Sequence, residues 1–327
     1  MIPTRDTQAA ADALREGKLV AFPTETVYGL GADAENADAV ARVFAVKGRP
    51  ANHPLIVHIA SAAELPRWAR EIPTAAQRLA EACWPGPLTL LLRKSARVPL
   101  ATTGGLDSVG LRVPAHPVAL ELLHRFAGGV AAPSANRFGR VSPTSAEHVS
   151  SDLGDDIDVL LDGGECRVGL ESTILDLTSD VPRLLRPGGV TVERLESLLG
   201  VTVSRTLTLD ARAPGLLPSH YAPLARVLIV PSSELAAEAR ALQSAGERVA
   251  VLTSHLDERD VIRTLREVIF LDLGADASTA AQRLYGALRE ADARAATVVL
   301  ASPPVAEGLG EALADRLKKA AGPRHSP

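Results

Sequence analysis

Pro23-Thr24-Glu25-Thr26-Val27-Tyr28-Gly29-Leu30-Gly31 follows directly on the apolar run Lys18 to Phe22. The run reads as a short buried strand, and the segment after it as a turn dense in hydroxyls and glycines. Between Asn36 and Lys47, Val40, Val43 and Phe44 recur at helical spacing, and Lys47-Gly48 is a stop signal. Lys47-Gly48-Arg49-Pro50-Ala51-Asn52-His53-Pro54-Leu55 then sets two cations with one residue between them, on a loop bounded by prolines. Leu55 to Ile59 is the next strand, carrying His58 near its end. The two loops look like two walls of a pocket for a phosphorylated ligand.

Outward from this region the elements continue to alternate. Residues 6–17 are Ala-rich and predict a helix. Two helical stretches lead to the forced turn Trp84-Pro85-Gly86-Pro87. Leu88 to Leu92, Val109 to Val113, Val130 to Ala132, Asp158 to Leu161, Ser172 to Leu177 and Arg183 to Leu185 read as strands. A helix is expected over 116–127 and another after Thr191. Helices and strands mix without a strict βαβ repeat, so residues 1–203 are expected to form an α/β domain on a twisted, mixed sheet. Residues 204–224 break the pattern, because Pro214, Pro218 and Pro223 prevent a regular element there, and they read as a linker. Over 225–320 strands at 227–230, 249–252, 268–271 and 297–300 alternate with helices at 233–244, 277–291 and 306–320. That pattern is a smaller, doubly wound, Rossmann-like α/β domain. Residues 321–327 read as a frayed tail.

Composition narrows the class. The 327 residues are 46% apolar and 23% charged, as in a globular protein of two cores. A net charge of −4 argues against a general nucleic-acid or membrane-surface binder, which needs a broad basic face. Cys83 and Cys166 form neither a metal-ligand spacing nor a disulfide framework. The N-terminus lacks a signal-peptide pattern, and no uncharged apolar run reaches the roughly 18 residues of a membrane span. A cytoplasmic location is the expectation.

No P-loop, G-x-G-x-x-G, H-E-x-x-H or G-x-S-x-G motif is present. What remains is polar side chains at strand ends and in loops of the first domain. Thr24 and Thr26 could meet a polar ligand or simply cap a turn. Lys47 and Arg49 could clamp a triphosphate or answer a helix dipole. His58 reads as a core histidine or a ligand contact. Arg112, within Val109-Gly110-Leu111-Arg112-Val113-Pro114, needs a partner, either a protein carboxylate or the carboxylate of a bound substrate. Pro133-Ser134-Ala135-Asn136-Arg137-Phe138-Gly139-Arg140-Val141-Ser142-Pro143-Thr144 suits phosphates or a ribose, or is a surface loop before a helix cap. Glu171-Ser172-Thr173-Ile174 starts a strand, and Leu185-Arg186-Pro187-Gly188-Gly189 ends one with a cation held by a turn.

In this order the motifs resemble the YrdC-like superfamily, and more narrowly its L-threonylcarbamoyladenylate synthases in their long, two-domain form. The resemblance rests on Pro23 to Gly31, Lys47 to His58, Trp84 to Thr89, Val109 to Pro114, Pro133 to Thr144, Gly169 to Thr173 and Leu185 to Gly189. It spans the whole first domain, and His220-Tyr221-Ala222-Pro223 with the small domain match the long form. It implies condensation of L-threonine, bicarbonate and ATP to threonylcarbamoyl-AMP and pyrophosphate. The product would serve threonylcarbamoyl modification of the adenosine next to the anticodon of tRNA.

The resemblance further implies that Thr26, His58, Arg112, Ser134 and Ser172 line the L-threonine and bicarbonate end. Lys47, Arg49, His53, Ser108, Asn136, Ser142, Thr144 and Arg186 would hold ATP. His220 or Tyr221, in the linker, would close over the pocket as a lid. No covalent nucleophile is implied, and Mg²⁺ would arrive with ATP rather than on a protein carboxylate cluster. The implied partners are downstream tRNA threonylcarbamoyltransferase proteins, with weak tRNA contact. Position 53 is His where many relatives carry Asn, and Ala213-Pro214-Gly215-Leu216-Leu217 lacks the polar groups common in that linker. Two other readings are a double-stranded RNA-binding protein without catalysis and a carbamoyl-transferring maturation module. The net negative charge opposes the first, and the chain has none of the acylphosphatase and zinc-finger segments of the second.

Overall fold

The strand Val20–Phe22 (β1) is only three residues long, and the segment beyond it is not all turn. The computed structural model, which describes residues 3–205, 214–215, 220–254, 265 and 267–323, places Gly29–Asp33 in a second strand, β2. β2 runs antiparallel to β1, with Phe22 opposite Gly29. Its glycines conceal it from sequence reading, because glycine weakens a strand unless backbones or rings approach closely. They do so here: a Cβ on Gly31 would lie 2.6 Å from Val130 Cγ1 and 2.9 Å from Phe22 Cε1.

Seven further strands complete the first sheet among the described residues. They are β3 (Ile56–His58), β4 (Leu88–Arg93), β5 (Ser108–Arg112), β6 (Val130–Ala131), β7 (Val159–Leu160), β8 (Thr173–Asp176) and β9 (Arg183–Arg186). The order is β7-β1-β2-β6-β3-β5-β4-β8-β9. Parallel pairs (β1 with β7, β3 with β5, β4 with β8) are mixed with antiparallel ones, giving the mixed sheet expected.

Strand alternation assigns each face. Val57, Val109, Leu111, Leu88, Leu90, Leu92 and Leu175 point into the main core, under helices Ala37–Lys47, Thr74–Cys83 and Val192–Leu199. On the opposite face, Val20, Phe22, Val130 and Ala132 pack against helices Thr7–Arg15 and Pro117–Phe126. Further along that second face the apolar residues thin to a small cluster of Ile56, Ile174 and Leu185. His58, Arg112 and Thr89 share this face by the same period of two.

Local chemistry accounts for the helix ends near the site. Asn36 Oδ1 accepts from Asp38 N and Ala39 N, and Gly48 ends the helix in the left-handed region at φ 63°. Val40, Val43, Phe44 and Lys47 form its buried stripe, so Lys47 is carried inward by the helix register itself.

The second unit is a parallel sheet in the order β10-β13-β11-β12, from Arg226–Ile229 (β10), Val249–Thr253 (β11), Ile269–Asp272 (β12) and Val298–Ala301 (β13). Helix Leu235–Ser244 covers one face and helices Ala277–Ala293 and Leu309–Ala320 the other, as a doubly wound fold requires. By compactness, unit 1 comprises 1–138, 142–167 and 171–216, and unit 2 comprises 139–141, 168–170 and 217–327. Much of the lid expected at 204–224 lies outside the described residues.

Candidate active site

The Thr24 hydroxyl organises the turn after β1. It donates to Val27 O at 2.6 Å and accepts from the backbone N–H of Thr26 and of Val27, each at 3.2 Å. Its proton is thereby used, so in the 2.8 Å contact between the Thr24 and Thr26 hydroxyls Thr26 is the donor. Thr26 keeps oxygen lone pairs to offer a ligand N–H.

Across the polar face, His58 and Arg112 are register partners on adjacent parallel strands. Both are buried. Arg112 Nε donates to Gly86 O at 3.2 Å, and Nη2 lies 2.7 Å from Glu25 Oε1. Nη1 is committed to neither contact. The ion pair is close but off the hydrogen-bonding direction, so both Nη2 and Glu25 Oε1 are buried without an aligned hydrogen bond.

Trp84-Pro85-Gly86-Pro87 thus acquires a specific task. Gly86 N donates to Val113 O at 2.8 Å and Trp84 Nε1 to Leu88 O at 2.7 Å, which fixes the carbonyl that Arg112 meets. A Cβ at Gly86 would stand 2.2 Å from Cys83 O. Gly86→Ala is therefore expected to shift backbone and cost about 2 kcal/mol. Thermal denaturation checks it, and an unchanged Tm would contradict the close approach.

His58 meets the Phe22 ring edge-on at 5.7 Å, and its Nδ1 has no hydrogen-bond partner among the described residues. Burial, and then the Arg112 charge beside it, lower its pKa to about 3. A histidine kept neutral when folded but protonated when unfolded makes the unfolded chain bind more protons between about pH 6.5 and pH 3. Stability contributed by His58 is present above pH 6.5 and falls as pH drops through that window, by about 1.4 kcal/mol per unit at most. His58→Gln should flatten the loss of stability between pH 6.5 and 4.5 in denaturant titrations. Parallel curves for the two proteins would refute it.

Lys47 Nζ caps two carbonyls of the loop after β6, Ser134 O at 2.6 Å and Asn136 O. Burial, followed by repulsion from Arg49, pushes its ammonium well below the ordinary lysine value. Arg49 Nη2 donates to Pro54 O at 3.1 Å, and its guanidinium stands 5.8 Å from the Phe138 ring centre. His53 meets the same ring edge-on at 5.6 Å. Phe138 therefore sets both side chains, a role that a lone aromatic in a loop did not signal.

The third part lies at the start of β8. Ser142 Oγ donates to Glu171 Oε1 at 2.6 Å. The Ser172 hydroxyl is 2.7 Å from that of Thr89 and accepts from Arg186 Nη2 at 3.1 Å. Arg186 Nε donates to Ser172 O at 3.0 Å and Nη1 to Pro214 O at 3.1 Å. Thr144 is buried against His148, its N–H 3.2 Å from Nδ1. Asn136 Nδ2 donates to Arg137 O at 2.8 Å, which turns its amide within its own loop.

The structure thus brings Arg112 beside His58, Lys47 beside Ser134 and Asn136, Arg49 beside His53, and Ser172 beside Arg186. Ser108 opens β5 on the polar face, four residues before Arg112. His220 and Tyr221 belong to the second unit, where Tyr221 takes φ 62° with its ring 5.1 Å from the Arg316 guanidinium and 5.7 Å from Tyr285. Sequence reading passed over Glu25, Thr89, Phe138 and Glu171. Glu25 stood inside the opening motif, and the need of Arg112 for a counter-charge was the signal that could have found it.

Among the described residues of the site, no paired acid and base is placed around a nucleophile. The Cys166 thiol is pushed up in pKa by burial, and next by Glu25, which makes it inert as a nucleophile. Among the described residues no group of three His, Cys, Asp or Glu side chains could cage a metal. Cations, hydroxyls and backbone groups dominate, a set that suits binding and aligning anions.

Residues 12–188 match the Sua5/yciO/yrdC family, described as telomere recombination. Residues 190–322 match the family described as threonylcarbamoyl-AMP synthase, C-terminal domain. The threonylcarbamoyl-AMP synthase of Pyrococcus abyssi is 46% identical over 326 residues, covering 96% of this chain and 94% of its own. That of Bacillus subtilis is 41% identical over 332 residues, covering 99% and 95%. The crystal structure of P. abyssi Sua5 complexed with L-threonine superposes with a TM-score of 0.89 at 44% identity, covering 96% of this chain and 94% of that one.

Proposed function

The chain belongs to the threonylcarbamoyl-AMP synthase family, and from that premise we propose how its residues divide the reaction. The enzyme is a nucleotidyltransferase of tRNA processing that uses ATP and L-threonine. Bicarbonate is the third reactant in our reading. The threonine amine attacks bicarbonate carbon and one C–O bond breaks with loss of water, giving a carbamate whose oxygen attacks the α-phosphate of ATP, and pyrophosphate leaves. The product, threonylcarbamoyl-AMP, passes to downstream tRNA threonylcarbamoyltransferase proteins. Residues 1–203 carry the chemistry, and 225–320 form the smaller domain.

The observation that carries the division is the split of the polar groups into two sets. Arg112 with an uncommitted Nη1, the orphan Nδ1 of His58 and the acceptor oxygen of Thr26 fit an amino acid's carboxylate and amine, with Ser134 and Ser172 at its borders. Lys47, Arg49 and Arg186 fit phosphates, and His53, Ser108, Asn136, Ser142 and Thr144 fit the rest of the nucleotide.

Phosphate oxygens beside Lys47 would oppose the burial that disfavours its ammonium, so bound ATP would raise the Lys47 pKa. Holding three reactants in line supplies most of the rate, which is why no protein nucleophile is needed. Mg²⁺ enters as the ATP complex, held by phosphate oxygens and water, because the carboxylates at hand are engaged by Arg112 and Ser142. Incubation with ATP, Mg²⁺, bicarbonate and L-threonine should release pyrophosphate. Release that is absent, or that proceeds equally without L-threonine, would refute the reading. No helix among the described residues is long and apolar enough to cross a membrane, consistent with a location away from membranes, and we propose the cytoplasm.

A further inference from the structure

β1 and β5 are separated by β2, β6 and β3 in the sheet. In a flat sheet their ends would lie about 19 Å apart. Glu25, three residues past the end of β1, nevertheless reaches Arg112 at the end of β5 with a 2.7 Å ion pair. The turn after β1 therefore arches back over the polar face, and this pair is where it lands.

Both ends of the contact are anchored. Glu25 Oε2 accepts from Ala115 N at 2.9 Å, in the loop just past β5, so the carboxylate is held from two directions. Arg112 is held by Glu25 and by Gly86 O. The side chains are 8% and 4% exposed, so neither charge is satisfied by water. A buried pair of this kind adds little stability of its own, while losing one partner is costly. What the arrangement does supply is a fixed guanidinium plane. Nε donates to Gly86 O, Nη2 faces Glu25 across the ion pair, and Nη1 takes part in neither contact, on a residue whose register partner is His58.

We propose that Glu25 is a positioning residue for amino-acid binding: it fixes the plane and rotation of Arg112 so that Nη1 is presented to the substrate carboxylate. This rests on the assignment of Arg112 to that carboxylate under the proposed function. Glu25 also offsets the Arg112 charge before substrate binds, so the guanidinium is not drawn toward other carboxylates. The same link makes the hydroxyl turn of Thr24 and Thr26 and the cation of β5 a single rigid unit, because Glu25 lies between the two threonines.

The test uses the full chain and three variants: Glu25→Gln, Arg112→Lys and the double variant. KM for L-threonine and for ATP is measured separately, with direct calorimetric titration of L-threonine and a Tm for each protein. Glu25→Gln should raise the threonine KM about tenfold and leave the ATP KM within about twofold. The double variant should be no worse for threonine than Arg112→Lys alone, because Glu25 acts through Arg112. A threonine KM unchanged in Glu25→Gln, equal rises in both KM values, or additive effects in the double variant would overturn the proposal. If Glu25→Gln does not fold, Glu25→Asp, which keeps the charge but shortens the reach, is judged by the same outcomes. Should Arg112→Lys itself leave the threonine KM untouched, the assignment of Arg112 fails. Should Arg112→Lys raise it while Glu25→Gln is silent, only the positioning role fails.

Discussion

Arg112→Ala is expected to raise the KM for L-threonine by roughly 10- to 100-fold while the KM for ATP moves by less than about threefold. The magnitude follows from losing charge-assisted hydrogen bonds to a carboxylate in a site shielded from water, each worth about 1.5–3 kcal/mol. The asymmetry follows from location. Arg112 sits with His58 on β5 and β3, whereas the candidate phosphate groups Lys47 and Arg49 stand at the end of the helix Ala37–Lys47. Alanine also strands Glu25 as a buried carboxylate, a loss of about 3–5 kcal/mol in folding stability. The kinetics must therefore be read beside a Tm, at a temperature where the variant is folded. Equal rises in the two KM values with an intact fold would remove Arg112 from the amino-acid end.

Lys47→Ala and Arg49→Ala are expected to lower kcat/KM for ATP by about 10²- to 10³-fold, with the smaller effect on L-threonine binding measured without ATP. For Lys47 two losses combine. The cation that would meet phosphate disappears, and so does the cap on Ser134 O and Asn136 O that holds the loop after β6. Lys47→Met separates them, since it keeps the length of the side chain and removes only the charge and its hydrogen bonds. For Arg49 the revealing variant is Arg49→Lys. It keeps a charge but loses both the guanidinium fork and its placement 5.8 Å from the Phe138 ring centre. Arg49→Lys should remain impaired if geometry matters and recover if charge alone suffices. Wild-type kcat/KM for ATP in either alanine variant would place the phosphates elsewhere.

Much of this architecture could be read from short-range pattern. Val40, Val43 and Phe44 predicted a helix, and Asn36 and Gly48 bound it as capping chemistry requires. The strands β3, β5, β4 and β8 were visible because one side of each is apolar and faces the main core. Two polar residues interrupting them, His58 and Arg112, stood out as exceptions to that rule, and Thr89 did not. β2 was missed because Gly29 and Gly31 imitate a turn, and only the approach of Phe22, Val130 and Ala132 explains them. Phe138 was missed because its value lies in two side chains from a different loop, Arg49 and His53. Lys47 reads as a triphosphate clamp or as a cation answering a helix dipole, and its place on the Val40, Val43, Phe44 stripe carries it inward.

By itself the sequence determined most of the elements, β2 excepted, and the supply of cations and hydroxyls at strand ends, since these depend on neighbours a few residues apart. Tertiary structure alone decided which charges meet. The order β1-β2-β6-β3-β5 and the curl that returns the turn after β1 over β5 put Glu25 against Arg112. The approach of the loop after β6 to the helix end put Lys47 under two carbonyls. A buried charge must find its partner wherever the folded sheet and its loops deliver one, and that arrangement is a property of the whole domain rather than of any segment.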